Sequence, residues 1–181
     1  AVYAGYENGD FFLFRKLQNS SARQFPDAPA NSHYLLQSLV RTGNDHQGRW
    51  HFYDHNLNLL EQRDLASYNF DPRERPWYQA ARESGALTLS APYVFFTTQE
   101  TGITLSQRAS EKAGTILGID VTVTDLGAQL AELKQTPGSR IAILNASGQL
   151  LAGSSQDSEP GEVVLQALQP ESHSDISQFT R

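Results

Sequence analysis

The stretch from Asn69 to Ala81 constrains the possible structure of this chain most, because it contains two prolines, two arginines and a Trp-Tyr pair. Its Asp-Pro-Arg-Glu segment, residues 71–74, predicts a type I turn, since proline suits the second position of such a turn. Pro76 fits the first residue of a helix, where a missing N–H costs nothing, and Gly85 fits the helix end. The pattern therefore predicts a turn that runs directly into a short helix, with Arg75 at the helix entrance.

Arg75 is a candidate anion-binding residue for this reason. A fixed guanidinium, the free N–H groups of a helix start and the neighbouring rings of Trp77 and Tyr78 would together receive a small anion or carboxylate. The competing interpretation is structural: an arginine stacked on a surface ring, with the Trp-Tyr pair in the core.

Composition limits the class of protein. The chain has 181 residues, of which 39% are hydrophobic and 19% charged, as in an ordinary globular protein. Its formal net charge of −6 and the lack of a basic run argue against nucleic acid as a partner. Cysteine is absent, which excludes disulfides and thiolate chemistry. No stretch approaches the roughly 20 apolar residues of a membrane span. Because methionine is absent even at position 1, we expect the chain to be an excised or processed piece of a longer protein.

Alternating apolar residues around turn signals predict three strand–turn–strand units. Their strands are residues 2–6 and 11–14, residues 49–53 and 57–62, and residues 140–144 and 149–152. Further strands are predicted at 87–98, 102–109 and 114–123. Helices are predicted at 33–40 and after a cap at Thr124 or Asp125, with Leu126, Leu130 and Leu133 forming an apolar stripe. Antiparallel strands with a few interleaved helices define an α+β fold.

Asp120 is the only charged residue of the strand predicted at 114–123. Alternation places it on the face of Ile116 and Gly118, opposite Leu117 and Ile119. A carboxylate in the middle of a sheet needs a partner or water, because burying it alone is costly. The plainer alternative is a solvent-facing aspartate on a half-exposed sheet.

Three motifs together resemble the double Cache sensor domains of bacterial membrane receptors. They are the Asp-Pro-Arg-x-Arg-Pro-Trp-Tyr-x-x-Ala segment 71–81, Ala-Pro-Tyr at 91–93 and Gly-Ile-Asp-Val at 118–121. The resemblance covers roughly residues 1–152. It implies a PAS-like lobe, with a central antiparallel sheet flanked by helices, that binds a small molecule. It also implies a partial second Cache-like lobe.

The resemblance also implies the ligand-binding residues. In amino-acid-binding members, the motif arginine contacts the ligand carboxylate, the strand aspartate holds its ammonium group, and aromatic side chains line the pocket. Carried over by position, these residues are Arg75, Asp120, Trp77, Tyr78 and Tyr93. Two further positions depart from the family pattern: Phe70 stands where such members usually have tyrosine, and Phe95 where they tend to have an acid. Losing a hydroxyl and a carboxylate should weaken the capture of an ammonium group.

The resemblance further implies domain organisation and location. Residues 1–135 would form the membrane-distal ligand-binding lobe, and residues 136–181 the start of a smaller membrane-proximal lobe. The domain would be extracytoplasmic, on the periplasmic side of the inner membrane. Its ligand would be an amino acid, an amine or an organic acid, and no cofactor is expected. We expect the partners to be transmembrane helices and a cytoplasmic output domain outside these residues, together with a second copy in a homodimer.

Two other classes of function compete with this one. A hydrolytic enzyme would need a catalytic motif, and neither a nucleophile elbow nor a phosphate loop is present. His51 and His55 have metal-ligand spacing on a helix, but a strand and turn predicted there spoil the geometry. The remaining alternative is a ligand-free interaction or dimerisation module, which Phe70 and Phe95 mildly favour.

Overall fold

The computed structural model describes residues 1–17, 25, 27–43, 45–65, 68–109, 114–136 and 138–154. Contacts divide the chain into two compact units, Ala1–Thr122 and Val123–Arg181. The lobe boundary expected from the sequence lies instead after residue 135, and the division into Cache-like lobes stays a prediction. Of the expected second lobe, residues 155–181 lie outside the described part of the chain.

One antiparallel sheet dominates unit 1. Within the described residues it has nine strands: β1 (Val2–Gly5), β2 (Phe11–Lys16), β3 (Tyr34–Thr42), β4 (Asp45–Tyr53), β5 (Leu59–Leu65), β6 (Thr88–Leu89), β7 (Tyr93–Val94), β8 (Thr101–Arg108) and β9 (Ile116–Thr122). Their spatial order is β5-β4-β3-β2-β1-β9-β8-β6, and β7 also pairs with β8. Strands β1 and β9 are therefore central neighbours, although they are far apart in sequence. The predicted α+β fold around an antiparallel sheet is confirmed.

Turn chemistry explains the hairpins, which form where they were predicted. Between β1 and β2, Gly9 has a φ of 87°, and the Asp10 N–H donates to the Asn8 side-chain oxygen at 3.1 Å. Between β4 and β5, the Asp54 carboxylate accepts from the N–H groups of Asn56 and Asn58 at 2.8 and 2.9 Å. Local hydrogen bonds of this kind reverse the chain within a few residues.

The helix predicted at 33–40 was wrong, because this segment is strand β3. Leu35, Gln37 and Leu39 are each 0% exposed, so the buried side chains recur at every second residue. β3 is hydrogen-bonded to β2 on one side and to β4 on the other. Two neighbouring strands that satisfy its backbone outweigh a helical propensity.

The single strand predicted at 87–98 is in fact two short strands, β6 and β7, both paired with β8. Pro92 lies between them and has no N–H to donate to a ladder. Tyr93 therefore begins a separate strand, β7, instead of continuing β6.

Helix α1 (Pro76–Ser84) covers one face of the sheet in unit 1. Its buried residues are Trp77, Tyr78 and Ala81, and they join a core formed by inward-facing residues of β1, β2, β3 and β9. Gly85, with a φ of 66°, ends the helix as expected. We call the covered face the inner face. The opposite, outer face carries exposed apolar side chains: Val2, Phe12, Leu105, Leu117 and Ile119.

Unit 2 contains helix α2 (Val123–Glu132) and a hairpin of β10 (Ala142–Leu144) and β11 (Leu150–Gly153). The hairpin was predicted, but the cap at Thr124 or Asp125 was wrong because the helix begins earlier. Leu130 is buried, whereas Leu133 lies past the helix end and is 67% exposed, so the apolar stripe is shorter than expected. In the described residues, neither helix has the length and apolar character to cross a membrane.

Candidate ligand-binding site

Local hydrogen bonds fix Arg75 at the entrance of α1. The Asp71 carboxylate accepts from the Arg73 N–H at 2.9 Å and begins a 3-10 turn over Pro72–Glu74. The Arg75 N–H then donates to the Pro72 carbonyl at 3.1 Å, and Pro76 begins the helix. The Arg73 side chain, which also bonds to Asp71, lowers the pKa of that carboxyl. The turn-into-helix prediction is confirmed.

The inner face of unit 1 contains a hollow that is open to solvent on one side. Aromatic rings supply most of its walls, and it contains three charged side chains. Its lining consists of Tyr3, Phe11, Leu13, Arg15, Tyr68, Phe70, Arg75, Trp77, Tyr93, Phe95, Phe96, Thr97 and Asp120. Apolar clefts with a few polar groups are typical of small-molecule sites.

Asp120 faces into this hollow from β9, held by a chain of hydroxyl groups. Its Oδ1 accepts from the Tyr3 hydroxyl at 2.5 Å and from the Thr104 hydroxyl at 2.6 Å. Because the Thr104 hydroxyl donates its hydrogen to Asp120, it acts as an acceptor for the Tyr93 hydroxyl, which donates to it at 2.7 Å. The Oδ2 atom accepts no hydrogen bond from the residues that the structure describes. One carboxylate oxygen is therefore available to a ligand.

Burial sets the electrostatics of the hollow. Burial raises the pKa of Asp120, and the hydrogen bonds from Thr104 and Tyr3 oppose that rise. Burial, reinforced by the charge of Asp120, raises the pKa of Tyr93 to about 12 and that of Tyr3 further still. Both phenols are therefore protonated donors at neutral pH.

Arg75 lies at the wall formed by β7. Its Nη2 donates to the Val94 carbonyl at 3.1 Å, and its guanidinium carbon lies 5.5 Å from the centroid of the Tyr93 ring. Among the described residues, no carboxylate forms an ion pair with it. Its remaining N–H groups are donors of the kind that binds anions, and the anion-binding role expected of Arg75 from the sequence stays a prediction.

The two phenylalanines that depart from the family pattern both line the hollow. Phe70 packs against Phe11 and Phe96, with ring centroids 4.6 and 5.2 Å apart. Phe95 lies above Gly102, where an added Cβ would come within 2.2 Å of its ring. This part of the wall is apolar and favours the hydrocarbon part of a ligand.

The structure brings six of the seven predicted site residues together; Tyr78 is the exception. Its hydroxyl donates to the Gly114 carbonyl at 3.1 Å, and its ring lines a separate cleft with Glu7 and Arg73. Successive helical residues point about 100° apart, so Trp77 and Tyr78 cannot both face the hollow. We therefore leave Tyr78 out of the proposed site.

Sequence reasoning missed several residues of the lining, and Arg15 is the most notable. Phe11, Leu13 and Arg15 share the inner face of β2, and this alternation was visible in the sequence. A cation at the end of an inward-facing apolar row is the signal that could have identified it. Tyr3 could not be found in this way, because its contact with Asp120 depends on the pairing of β1 with β9.

The histidine spacing considered for a metal does not produce a cluster. His51 lies in β4, and His55 lies in the turn beyond its end. Over the described ranges, no group of three or more His, Asp or Glu side chains is placed to hold a metal ion.

The raised pKa of Asp120 predicts a pH dependence of stability. The folded state binds the proton of Asp120 more tightly than the unfolded state, whose pKa is near 3.8. The unfolding free energy should therefore fall as the pH rises from that value through the higher folded pKa. Asp120→Asn should remove this part of the slope in urea unfolding measured from about pH 4 to about pH 8.

The groups that act on Asp120 are Tyr3, Thr104, Arg15 and the amino terminus, and all remain in the variant. Asp64→Asn is the control, since the Asp64 side chain is 65% exposed and pairs with Arg49 at the surface. A wild-type slope that Asp120→Asn leaves unchanged would contradict the assignment.

Solved ligand-binding domains of the chemoreceptor CtaA from Pseudomonas fluorescens share this fold. The complexes with L-serine and L-leucine align with TM-scores of 0.54 and 0.52, each at 21% sequence identity over 92% of this chain. The complex with L-alanine aligns with a TM-score of 0.51 at 22% identity, again over 92%. The chain spans about half of these domains, at 52%, 50% and 52% of their lengths. The fold is that of a chemoreceptor ligand-binding domain, so the fold expected from the Cache resemblance is confirmed.

Curated relatives are signalling proteins. The chain is 34% identical to adenylate cyclase 1 of Rhizobium meliloti over 151 residues, which is 81% of this chain and 22% of that protein. It is 33% identical to the methyl-accepting chemotaxis protein McpB of Bacillus subtilis over 82 residues, 45% of this chain and 12% of that protein. The chain thus spans less than a quarter of either relative. No family model matches the chain.

Proposed function

We propose that unit 1 is a sensor domain that binds a small carboxylate-bearing molecule in the hollow of its inner face. One observation carries the proposal: the same aromatic hollow is lined by a guanidinium with no ion-pair partner and a carboxylate oxygen with no donor among the residues that the structure describes. The CtaA structures, which share the fold, hold L-serine, L-leucine and L-alanine. An amino acid is therefore the ligand class to test first.

Each residue of the proposed site has a distinct role. Arg75 binds the ligand carboxylate, because its fork of N–H donors matches two oxygens. Asp120 accepts from the ammonium group through Oδ2. Trp77 and Tyr93 pack against the ligand body, and Phe70 and Phe95 complete the apolar wall.

The whole protein, on this proposal, is a membrane-anchored bacterial signalling protein whose sensor domain lies outside the cytoplasm. The relatives named as an adenylate cyclase and as chemotaxis proteins support a cytoplasmic output, catalytic in the first case and a chemotaxis signal in the second. Ligand binding would favour one conformation of the receptor by no more than its difference in affinity for the two.

A second candidate function is an interaction or dimerisation module that binds no small molecule. The exposed apolar side chains of the outer face favour it, since contiguous apolar surface marks protein contacts. A concentration-dependent mass in sedimentation, combined with no response to any small molecule, would favour this candidate over the sensor.

Thermal melting against a panel of amino acids, amines and organic acids tests the sensor proposal. A ligand at 100 times its dissociation constant should add about 2.7 kcal/mol, which raises Tm by roughly 5 to 10 °C in a chain of this size. Arg75→Ala should weaken binding of a carboxylate ligand about 10- to 100-fold, because it removes a charged hydrogen-bond pair. At the same ligand concentration the stabilisation should then fall to about 1.4 kcal/mol for a 10-fold loss and about 0.4 kcal/mol for a 100-fold loss.

Arg49→Ala is the matched control. It makes the same chemical change in an exposed pair with Asp64 on β4 and β5, where a surface ion pair contributes about 0–1 kcal/mol. It should melt near the wild-type temperature and keep the full ligand response. An equal ligand response in Arg75→Ala would remove Arg75 from the site.

A further inference from the structure

We propose that Arg15 is a second ligand-binding cation in the hollow, and that the ligand is an amino acid with an acidic side chain. This inference rests on the proposed function and narrows its ligand class. It assigns the α-carboxylate to Arg75, the ammonium group to Asp120 and the side-chain carboxylate to Arg15.

The strand register places Arg15 and Asp120 on either side of one small residue. Val2 pairs with Phe14 of β2 and with Ile119 of β9. One residue earlier, Ala1 lies between Arg15 and Asp120, and its carbonyl accepts from the Asp120 N–H at 2.9 Å. Strands two positions apart are about 9–10 Å apart, and the side chain of the residue between them, Ala1, is only a methyl group. A small ligand can therefore lie across Ala1 and contact both charges.

Within the described residues, the Arg15 side chain has an unsatisfied hydrogen-bond donor that an anion could accept from. Its Nε is buried and has no hydrogen-bond partner in the described part of the chain, and its guanidinium carbon lies 5.5 Å from the centroid of the Phe25 ring. Across the described residues, no ion pair or hydrogen bond engages its side chain. Asp120 and Glu100 attract it only at longer range. A buried N–H without an acceptor is costly, so an anion that reaches Arg15 in the hollow gains a strong interaction there.

Charge balance in the hollow distinguishes ligand classes. Arg15 and Arg75 contribute two positive charges and Asp120 one negative charge, so the lining has a net charge of +1. A neutral amino acid satisfies Arg75 and Asp120 but leaves Arg15 without a counter-charge. Glutamate or aspartate, with a net charge of −1, satisfies all three. Burial lowers the pKa of Arg15, yet an arginine stays protonated in proteins.

Paired isosteric ligands test the inference directly. Titration calorimetry with L-glutamate and L-glutamine, and with L-aspartate and L-asparagine, compares an acid with its neutral amide at nearly constant size. Wild type should prefer the acid about 10- to 100-fold, the ratio expected for one charged hydrogen-bond pair. Arg15→Gln should bind both members of each pair nearly equally, because it mainly weakens binding of the acid. Arg15→Lys should keep part of the preference, since it retains the charge but not the planar fork.

Folding of the variants is checked without ligand. Arg15→Gln should melt at or above the wild-type temperature, because it removes a largely buried charge that has no counter-ion among the described residues. Arg49→Gln, at the exposed pair on β4, is the matched control and should retain the wild-type preference for the acid.

The outcomes separate this inference from the proposal beneath it. Equal affinity of wild type for acid and amide, or an acid preference that persists in Arg15→Gln, would overturn the role of Arg15 while the sensor proposal stands. Failure of every amino acid and organic acid to bind wild type would overturn both. Loss of the preference in Arg15→Gln alone, with the control unchanged, would establish it.

Discussion

Replacing Trp77 with alanine is expected to lower the unfolding free energy by about 3–5 kcal/mol. The indole is 2% exposed and lies at the junction of α1 with the sheet. Its ring centroid is 4.7 Å from that of Tyr3 and 5.6 Å from that of Tyr78. Alanine would leave a cavity that the strands, fixed by hydrogen bonds on both sides, cannot fill. Urea unfolding measures the loss.

Trp77→Ala should also abolish ligand binding, because the indole forms one wall of the hollow. Trp50→Ala is the control. That indole is only partly buried and packs in a separate cluster with Phe25 and Phe52, so a smaller loss of stability and a retained ligand response are expected. A Trp77→Ala protein as stable as wild type would show that the indole is not packed as described.

Gly118→Ala is the second substitution with a large expected effect, although it adds one methyl group. A Cβ at this position would lie 2.1 Å from the Tyr3 ring. Tyr3 cannot move aside freely, because Phe11 and Trp77 contact the ring and its hydroxyl bonds to Asp120. Overpacking of this kind costs about 1–3 kcal/mol. Displacing Tyr3 should also weaken ligand binding, since Asp120 loses one of the donors that orient it.

The matched control is Gly138→Ala, which makes the same change where nothing lies within 4 Å of the new methyl group. It should alter the unfolding free energy by less than about 0.5 kcal/mol. Combining Gly118→Ala with Tyr3→Ala should cost less than the sum of the single changes, because the second removes the ring that the first displaces. Strict additivity in this double-mutant cycle would contradict the predicted clash.

Local chemistry made much of this fold predictable from the sequence. The three hairpins follow from turn residues such as Asn8 and Gly9, and the position of Arg75 follows from Asp71 and Pro76. The segment 33–40 was misjudged because its outcome depends on neighbours far away in sequence. Strand β3 is stable only between β2 and β4, and no local signal contains that information.

The residues of the candidate site likewise fall into those that the sequence identified and those that depend on contacts between distant segments. Family resemblance found the charged pair, Arg75 and Asp120, and the rings of Trp77 and Tyr93, and the structure brings all four to one hollow. The resemblance also included Tyr78, but the geometry of α1 directs the Tyr78 side chain away from the hollow. Arg15 was not found, because its proximity to Asp120 arises from the register of three strands rather than from spacing along the chain.

The close approach of aromatic rings to the backbone at Gly102 and Gly118 limits which substitutions evolution can accept in the lining of the hollow. A side chain at Gly102 would collide with Phe95, and a side chain at Gly118 would collide with Tyr3. A substitution at either glycine would therefore displace a ring that lines the hollow. Phe70 and Phe95 are side chains that can be shortened without touching the main chain. Related proteins that bind bulkier ligands should therefore differ from this sequence first at residues 70 and 95, while the two glycines stay unchanged.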